Sequence, residues 1–293
     1  MSTNSNYTLI NRQSGNLAFK IFSFENNNIF DHLQRLNYYS ILLILEGTGK
    51  LKADFSEYDF EGSNLMCFSP YQPFLIDAKD SFKGIAVDFH PDFFCIHKHH
   101  KEVACNGVLF NNIYQPPHHT LDTITKDELL ALIGQMKKEI MQANVAQYES
   151  IVSYLKIFLI TASRSKLDQY PKTPKENSVE KEPFVLQRLQ EAIESNFRKN
   201  HSAGEYADML NISTKALAKI SKNHFNKTLT DLIAERIMIE AKRELYLTSK
   251  PVKAIAYELG FDDEYYFSRF FKNKAEVSPQ LYRETVGFAQ AEV

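Results

Sequence analysis

The sequence predicts an α+β protein with a β-rich N-terminal part and an all-helical C-terminal part. Strand-like segments recur between residues 17 and 90, the later apolar segments have helical periodicity, and a polar stretch with two prolines lies between them. The chain has 293 residues, of which 44% are hydrophobic, enough for two cores. We therefore expect an N-terminal domain at 1–164, a linker at 165–182 and a C-terminal domain at 183–293.

Six segments of the N-terminal part are predicted β-strands. They are short, rich in β-branched and aromatic residues, and separated by Gly, Asn, Asp and Pro. Short strands with frequent turns indicate a barrel or a sandwich. We expect Glu46–Gly49 to form a tight hairpin connection. The predicted strands are Leu17–Phe24, Tyr38–Leu45, Gly49–Phe55, Asn64–Pro70, Pro73–Ala78 and Phe82–His90.

The histidines and cysteines do not form a recognisable chemical site. A metal-binding barrel of the cupin type needs a His-x-His pair with a later Glu and His, but only His32 and His90 lie near the predicted strands. His97–His100 and His118–His119 fall in predicted loops, where we expect exposed polar residues. The three cysteines, at irregular spacing, suit reduced structural thiols. We expect no catalytic residue, no metal ligand and no cofactor, and the sequence identifies no cofactor-binding residue.

Two amphipathic helices are predicted after the strands, at Asp127–Gln142 and Ser150–Arg164. Their apolar faces either pack on the β-structure or form a homodimer interface, and the sequence favours neither alternative. The predicted apolar faces consist of Leu129, Leu132, Ile133, Met136 and Ile140 in the first helix and Ile151, Tyr154, Leu155, Phe158 and Leu159 in the second.

Ser165–Glu182 is polar, contains Pro171 and Pro174, and lacks apolar periodicity, so it is predicted to be an interdomain linker. Pro183–Lys199 is the predicted first helix of the C-terminal domain. Its inward residues would be Leu186, Leu189, Ile193 and Phe197.

Ile255–Lys272 has the pattern of a helix-turn-helix. A short helix would bury Ile255, Ala256 and Leu259, and Gly260 would allow the left-handed turn that follows it. Asp262 is a suitable N-cap for a second helix. That helix would bury Phe267, Phe270 and Phe271. The second helix of such a motif can enter the major groove of DNA, although an αα-hairpin of any helical bundle has the same pattern.

A second copy of this pattern favours the helix-turn-helix. In Glu205–Lys222, Ala207 aligns with Ala256 at an offset of 49 residues, and Asn211 replaces Gly260. Asn is the next most tolerant residue at a left-handed position. After the aligned caps, Ser213 and Asp262, the offset becomes 50. This shift predicts one extra residue at the start of the later recognition helix.

Leu229–Thr248, between the two copies, is predicted to be one long helix. Its polar faces would hold Arg236, Glu240, Lys242, Arg243 and Glu244, and its apolar stripe Leu232, Ile233, Ile237, Ala241, Leu245 and Leu247. About 20 helical residues span roughly 30 Å, close to one turn of B-DNA. A rigid spacer of this length could place two recognition helices in successive major-groove segments. Pro251 would then start the second copy.

Together these segments resemble the DNA-binding domain of the AraC/XylS family of bacterial transcription regulators, over Ala203–Arg283. The strands resemble, more loosely, the cupin-type barrel that commonly precedes it. Ser221, Asn226 and Glu276 depart from the family pattern and bear on local turn geometry. The resemblance is carried, in chain order, by Tyr206–Ser213, Arg236–Ala241, Ile255–Lys272 and Ser278–Arg283.

The resemblance implies which residues bind DNA. Base-reading positions of the family correspond to Lys215, Ala218 and Lys219 in the first copy and to Glu264, Tyr265 and Arg269 in the second, with Lys222 and Lys272 as further DNA-binding residues. The net charge of −2 gives little support, since the part from residue 183 onward holds 16 Lys and Arg against 15 Asp and Glu. The placement of the lysines along one helix carries more weight.

The resemblance also implies function and partners. It implies a sequence-specific, effector-responsive transcription activator that binds double-stranded DNA, RNA polymerase, a small-molecule effector and a second copy of itself. We expect no membrane partner and a cytoplasmic location, since the sequence shows no signal pattern and no long apolar run. The alternatives are a metal-independent cupin-type enzyme with a helical interaction module, and a regulator whose barrel only dimerises.

Overall fold

The computed structural model describes residues 6–11, 15–54, 56–79, 81–103, 105–170 and 181–286. The chain forms two compact units. The first comprises Met1–Asn112 and Pro116–Tyr170, and the second comprises Ile113–Gln115 and Pro171–Val293. The first unit combines strands with helices and the described part of the second is helical, so the predicted α+β class is confirmed.

The first unit contains two antiparallel sheets. The larger has strand order β1-β2-β8-β3-β6-β9, and the smaller has order β5-β4-β7. The six predicted strands are confirmed to within two residues at each end, whereas β1, β5 and β9 were not predicted. The strands are β1 Tyr7–Ile10, β2 Leu17–Phe24, β3 Tyr39–Glu46, β4 Thr48–Ala53, β5 Ser56–Glu61, β6 Asn64–Phe68, β7 Phe74–Ala78, β8 Lys83–Phe89 and β9 His118–Thr120.

The Glu46–Gly49 connection does not form the predicted hairpin. β3 pairs with β6 and β8 in the larger sheet, while β4 pairs with β5 and β7 in the smaller one. Both edges of β3 are therefore occupied, and the chain crosses from one sheet to the other at Gly47. The apolar side chains of the two sheets meet in one core rich in phenylalanine, including Phe22, Phe68 and Phe74.

Helices α1 (His100–Val103), α2 (Thr123–Gln142) and α3 (Gln147–Gln169) complete the first unit. The apolar faces of α2 and α3 pack in one core with the strands, so the packing alternative is confirmed. Most predicted inward residues are buried, whereas Leu132, Ile140 and Tyr154 are only partly buried.

Helix α3 extends five residues beyond the predicted domain end, so the predicted linker start at Ser165 is wrong. The reason lies in Lys166, which is 1% exposed and donates from Nζ to the backbone oxygen of Pro116 at 2.7 Å. That contact holds the last turns of the helix against the unit. Residues 171–180 of the predicted linker lie outside the described residues.

The prediction that His118 and His119 are exposed loop residues is wrong. They form β9 and pair with Met66 and Leu65 of β6. Burial, together with the nearby charge of Lys166, lowers the pKa of His118 to about 4 and that of His119 to about 3. Both rings are therefore neutral near pH 7 and belong to the packed interior of the unit.

The second unit contains seven helices within its described residues. Helix α4 begins two residues before the predicted Pro183 and buries Leu189 and Ile193, while Leu186 is partly buried; Phe197, also buried, directly follows the helix. In the described part of the chain, no helix has both the length and the apolar character needed to span a membrane. The helices are α4 Lys181–Asn196, α5 Ala203–Leu210, α6 Thr214–Phe225, α7 Leu229–Leu247, α8 Val252–Glu258, α9 Glu264–Ala275 and α10 Pro279–Val286.

Helix α7 is the predicted long helix, with Thr228 as its N-cap. Glu240, predicted on one of the polar faces of this helix, is only 3% exposed. Its carboxylate accepts hydrogen bonds from Arg198 at 2.6 Å, Arg236 at 3.1 Å and Arg243 at 2.7 Å. Burial raises the pKa of this carboxyl, but the arginines outweigh it and the net pKa is lowered. Glu240 is thus a buried ionic centre that joins the segment after α4 to α7.

Candidate nucleic-acid interface

The first helix-turn-helix is built from α5 and α6. Ser202 caps α5 in a capping box with Glu205, whose Oε2 accepts from the Ser202 backbone at 2.9 Å. The helix ends at Asn211, which has the left-handed φ of 54°. Ser213 then caps α6, with Oγ accepting from the Ala216 backbone at 3.3 Å. Each boundary therefore has a residue whose chemistry produces it.

The second helix-turn-helix, α8 and α9, repeats the end of the first helix. Gly260 has φ 81°, and the Phe261 backbone donates to Ala256 at 3.0 Å, the same bond that Ile212 makes to Ala207 in the first copy. The predicted N-cap Asp262 is wrong, because Asp263 caps α9 by accepting from the backbones of Tyr265 and Tyr266. The extra residue therefore lies in the turn and not in the recognition helix.

When residues are counted from the N-caps Ser213 and Asp263, each residue of α6 has a counterpart in α9. Lys215, Lys219 and Lys222 correspond to Tyr265, Arg269 and Lys272 at an offset of 50. The partner of Ala218 is Ser268, and that of Glu264 is Thr214. Thr214 and Ser268 are the two counterparts that the predicted set lacks.

The predicted DNA-binding residues lie on the outer side of both helices. In α6, Lys215, Ala218, Lys219 and Lys222 are exposed; in α9, Arg269 and Lys272 are exposed, Tyr265 is 79% exposed, and Glu264 is partly buried. The opposite faces are buried through Leu217, Ser221 and Phe225 and through Phe267, Phe271 and Ala275. Phe270, predicted to be buried, is only partly buried and contacts the Phe261 ring. Each helix thus presents a solvent face that could enter a groove.

The three departures from the family pattern leave the turns intact. Asn226 (φ 56°) and Glu276 (φ 61°) both end their recognition helices in the left-handed conformation that glycine would adopt. Ser221 is fully buried, and its hydroxyl donates to the backbone oxygen of Lys227 at 2.9 Å. That bond closes the turn between α6 and α7.

The closing motif Ser278–Arg283 attaches the second helix-turn-helix to the end of α7. Ser278 accepts from the Leu281 backbone at 3.1 Å and starts α10. Arg283 donates to the backbone oxygens of Leu245 at 3.0 Å and Lys250 at 2.7 Å. These bonds satisfy carbonyl groups that the end of a helix leaves free, and they restrain the joint between α7 and α8.

The outer faces differ in charge. Helix α6 has three lysines and no acidic residue. Helix α9 has Arg269, Lys272 and Lys274, but its N-terminal end follows Asp262 and Asp263 and begins with Glu264. Both faces suit a polyanion along their length, and the beginning of α9 is suited to accept rather than donate hydrogen bonds.

Comparison with known proteins agrees with this geometry. A family model described as a helix-turn-helix domain matches residues 206–285. The raffinose operon transcriptional regulatory protein RafR of Pediococcus pentosaceus is 30% identical over 97 residues, which cover 32% of this chain and 35% of RafR. The HTH-type transcriptional activator RhaS of Mannheimia succiniciproducens is 30% identical over 91 residues, covering 31% of this chain and 34% of RhaS.

A longer match includes both units. The transcriptional activator PerA of Escherichia coli O127:H6 is 23% identical over 247 residues, covering 78% of this chain and 88% of PerA. The matches to RafR and RhaS span only about a third of those relatives' own length. Residues 206–285 therefore match a helix-turn-helix domain, and the proteins to which the chain is similar are named as a transcriptional regulatory protein (RafR) and as transcriptional activators (RhaS and PerA).

Proposed function

We propose that this chain is a sequence-specific DNA-binding transcription regulator whose recognition helices, α6 and α9, read adjacent segments of the major groove. The observation that carries the proposal is a pair of capped helices in one compact unit, each with one face buried and a polar, cationic face exposed. Lysine and arginine can donate to guanine O6 and N7, and glutamate can accept from cytosine N4. RhaS and PerA are named as activators, which supports activation as the regulatory effect.

The remaining partners follow from this function. An activator acts on RNA polymerase in the cytoplasm, so we include RNA polymerase among the partners. We assign dimerisation and effector binding to the first unit, because α2, α3 and the turn between them leave apolar side chains uncovered. Ile124 is 75% exposed, Val145 is 97% exposed and Ile157 is 49% exposed. Exposed apolar groups of this kind are suited to a subunit interface.

A second form of the proposal is a regulator whose first unit dimerises without binding an effector. Aromatic packing between its two sheets favours this form: the rings of Phe24, Phe30 and Phe82 contact one another there, with centroids 5.0, 5.1 and 6.4 Å apart. These rings occupy space between the sheets, where a cupin-type barrel would hold a ligand. Footprints of the full chain on genomic DNA, with and without pooled metabolites, separate the two forms: only an effector-responsive protein changes its pattern of bound sites.

Selection of duplexes from a random library by the full chain tests the DNA-binding function. We expect one enriched sequence. On that site, Lys219→Ala and Arg269→Ala should each cost about 1–3 kcal/mol and relax the preference at one base pair. Both residues are exposed and occupy equivalent positions of their helices, so each substitution removes a contact without disturbing the core.

Lys138→Ala, which removes an exposed lysine from α2 in the first unit, is the matched control and should leave binding unchanged. Equal losses on the enriched and on random DNA would show that Lys219 and Arg269 contact phosphates only. If no sequence is enriched, the chain does not read DNA and the proposed function is wrong.

A further inference from the structure

The turn of the second helix-turn-helix packs on a segment that lies before the first one. Gly260 has φ 81°, and a Cβ added there would lie 2.1 Å from the backbone oxygen of Arg198. That oxygen belongs to the main chain and cannot move aside as a flexible side chain would. Only glycine is therefore suited to position 260, because any Cβ would clash with the Arg198 backbone and because other residues rarely adopt this positive φ.

Phe261 extends this contact to the second recognition helix. Its side chain is 4% exposed, and its ring lies 5.0 Å from the ring of His201. On its other side it lies 5.2 Å from the ring of Phe267 and 5.3 Å from that of Phe270, both in α9. The position of α9 is thus linked by packed rings to His201.

The segment Arg198–Ser202, which we call the bracket, also contacts the first helix-turn-helix. The backbone oxygen of Asn200 accepts from the Tyr206 hydroxyl at 3.0 Å, and the Asn200 side chain donates to Glu205 at 2.8 Å. Ser202, at the end of the bracket, is the N-cap of α5. The bracket is therefore fixed to the start of α5 by three groups.

The bracket is anchored to α7 as well. Arg198 donates to Glu240, which is buried and is also bound by Arg236 and Arg243. A joint of only three residues, Thr248–Lys250, separates the end of α7 from Pro251, the N-cap of α8. Without a second contact, the two helix-turn-helix units could change their relative angle at this joint. The bracket supplies such a contact in addition to Arg283.

We propose that the bracket sets the spacing between the two DNA segments that α6 and α9 read. The inference rests on the proposed function and adds to it that the spacing is fixed to the base pair. Inserting one base pair between the segments rotates them by roughly a tenth of a turn. A rigid pair of recognition helices cannot follow that rotation, whereas a pair that has lost the bracket contact and is held only through the Thr248–Lys250 joint and Arg283 can follow it in part.

The test is the affinity of the full chain for duplexes whose two segments are at the selected spacing or one or two base pairs closer or farther apart. The wild type should lose about tenfold per inserted or deleted base pair, the usual scale for one badly placed contact. Gly260→Ala and the milder His201→Ala should bind the selected spacing less tightly and show less than about threefold variation across the series.

Asn211→Ala is the matched control. It places the same unfavourable left-handed alanine at the equivalent turn of the first copy, where the residue is exposed and outside the bracket contact. It should keep the steep spacing profile of the wild type. Circular dichroism spectra and thermal melting curves establish whether each variant is folded. If Gly260→Ala does not fold, the comparison is made with His201→Ala alone.

A steep profile retained by folded His201→Ala and Gly260→Ala would overturn the inference, and so would a flat profile in the wild type. A wild type that prefers no sequence at any spacing contradicts the proposed function itself. The two failures are therefore distinguishable.

Discussion

The recognition helix of the first helix-turn-helix packs through Leu217, Ser221 and Phe225, whereas that of the second packs through Phe267, Phe271 and Ala275. Despite these different cores, both copies have an oxygen-bearing N-cap and left-handed residues at matching ends of their helices. The comparison shows that the caps and the left-handed positions define the motif. The core can be filled by aliphatic, polar or aromatic groups.

The outer faces of the two helices differ as much as their cores. Lys215 in α6 has Tyr265 as its counterpart in α9. The acidic residues Asp263 and Glu264, at the start of α9, occupy the positions that Ser213 and Thr214 occupy at the start of α6. Charge attraction to phosphate should therefore contribute more to the first contact, and directional contacts to base edges more to the second.

The largest expected difference concerns the equivalent core positions Ser221 and Phe271, both fully buried. Phe271→Ala should lower the free energy of unfolding by about 3–5 kcal/mol, because it leaves a cavity. Ser221→Ala should cost about 1–3 kcal/mol, because the Lys227 backbone oxygen loses its donor. Urea unfolding of the full chain measures both, and equal costs would show that the second copy does not depend on its aromatic core.

The next largest effect is expected from overpacking the contact between α8 and α9. Ala256 is fully buried where α8 and α9 meet, so Ala256→Leu should cost about 1–3 kcal/mol and weaken DNA binding by displacing α9. Ala216→Leu, at an exposed position of α6, is the control and should change stability little. A folded Ala256→Leu variant with unchanged melting and DNA affinity would mean that α8 and α9 do not pack as a helix-turn-helix.

Salt dependence separates the two outer faces. Lys215→Ala should reduce the slope of log affinity against log salt concentration by about one, because without this lysine charge one fewer counterion is released from the DNA on binding. Tyr265→Ala, at the equivalent position, should weaken binding to the selected site without changing that slope. A titration from low to physiological salt measures both slopes, and equal changes would refute the difference between the faces.

The smallest effect concerns the left-handed ends of α6 and α9. Glu276→Gly should stabilise the chain by up to about 1 kcal/mol, because glycine has no Cβ that opposes a φ of 61°. Asn226→Gly should be nearly neutral, since asparagine already tolerates that conformation. Thermal melting of the two variants makes the comparison, and a destabilised Glu276→Gly would point to a stabilising role of the Glu276 side chain.

Local chemistry made the two copies predictable from sequence. Asn211 and Gly260 identify the turns, Ser213 identifies the first cap, and the three-to-four spacing of Lys215, Lys219 and Lys222 identifies the outer face of α6. The second cap was mistaken because two adjacent aspartates can cap equally well. The choice between them depends on how the turn packs around Phe261, which local sequence does not encode.

Long-range contacts were beyond sequence analysis. Glu240 has the spacing of an exposed i,i+4 partner of Arg236, and its burial depends on Arg198, 42 residues away. His118 and His119 form a strand of three residues, too short for a periodic signal, and β6 supplies the pairing that defines it.

The most direct test of the central claim is a dimethyl sulfate interference footprint of the full chain on its selected site, which reports guanine contacts in the major groove. We predict two contacted segments about ten base pairs apart on one face of the duplex. Lys219→Ala should remove contacts from one segment only, and Arg269→Ala from the other only. A single contacted segment, or the loss of the same contacts in both variants, would contradict the claim that one chain reads DNA with both recognition helices.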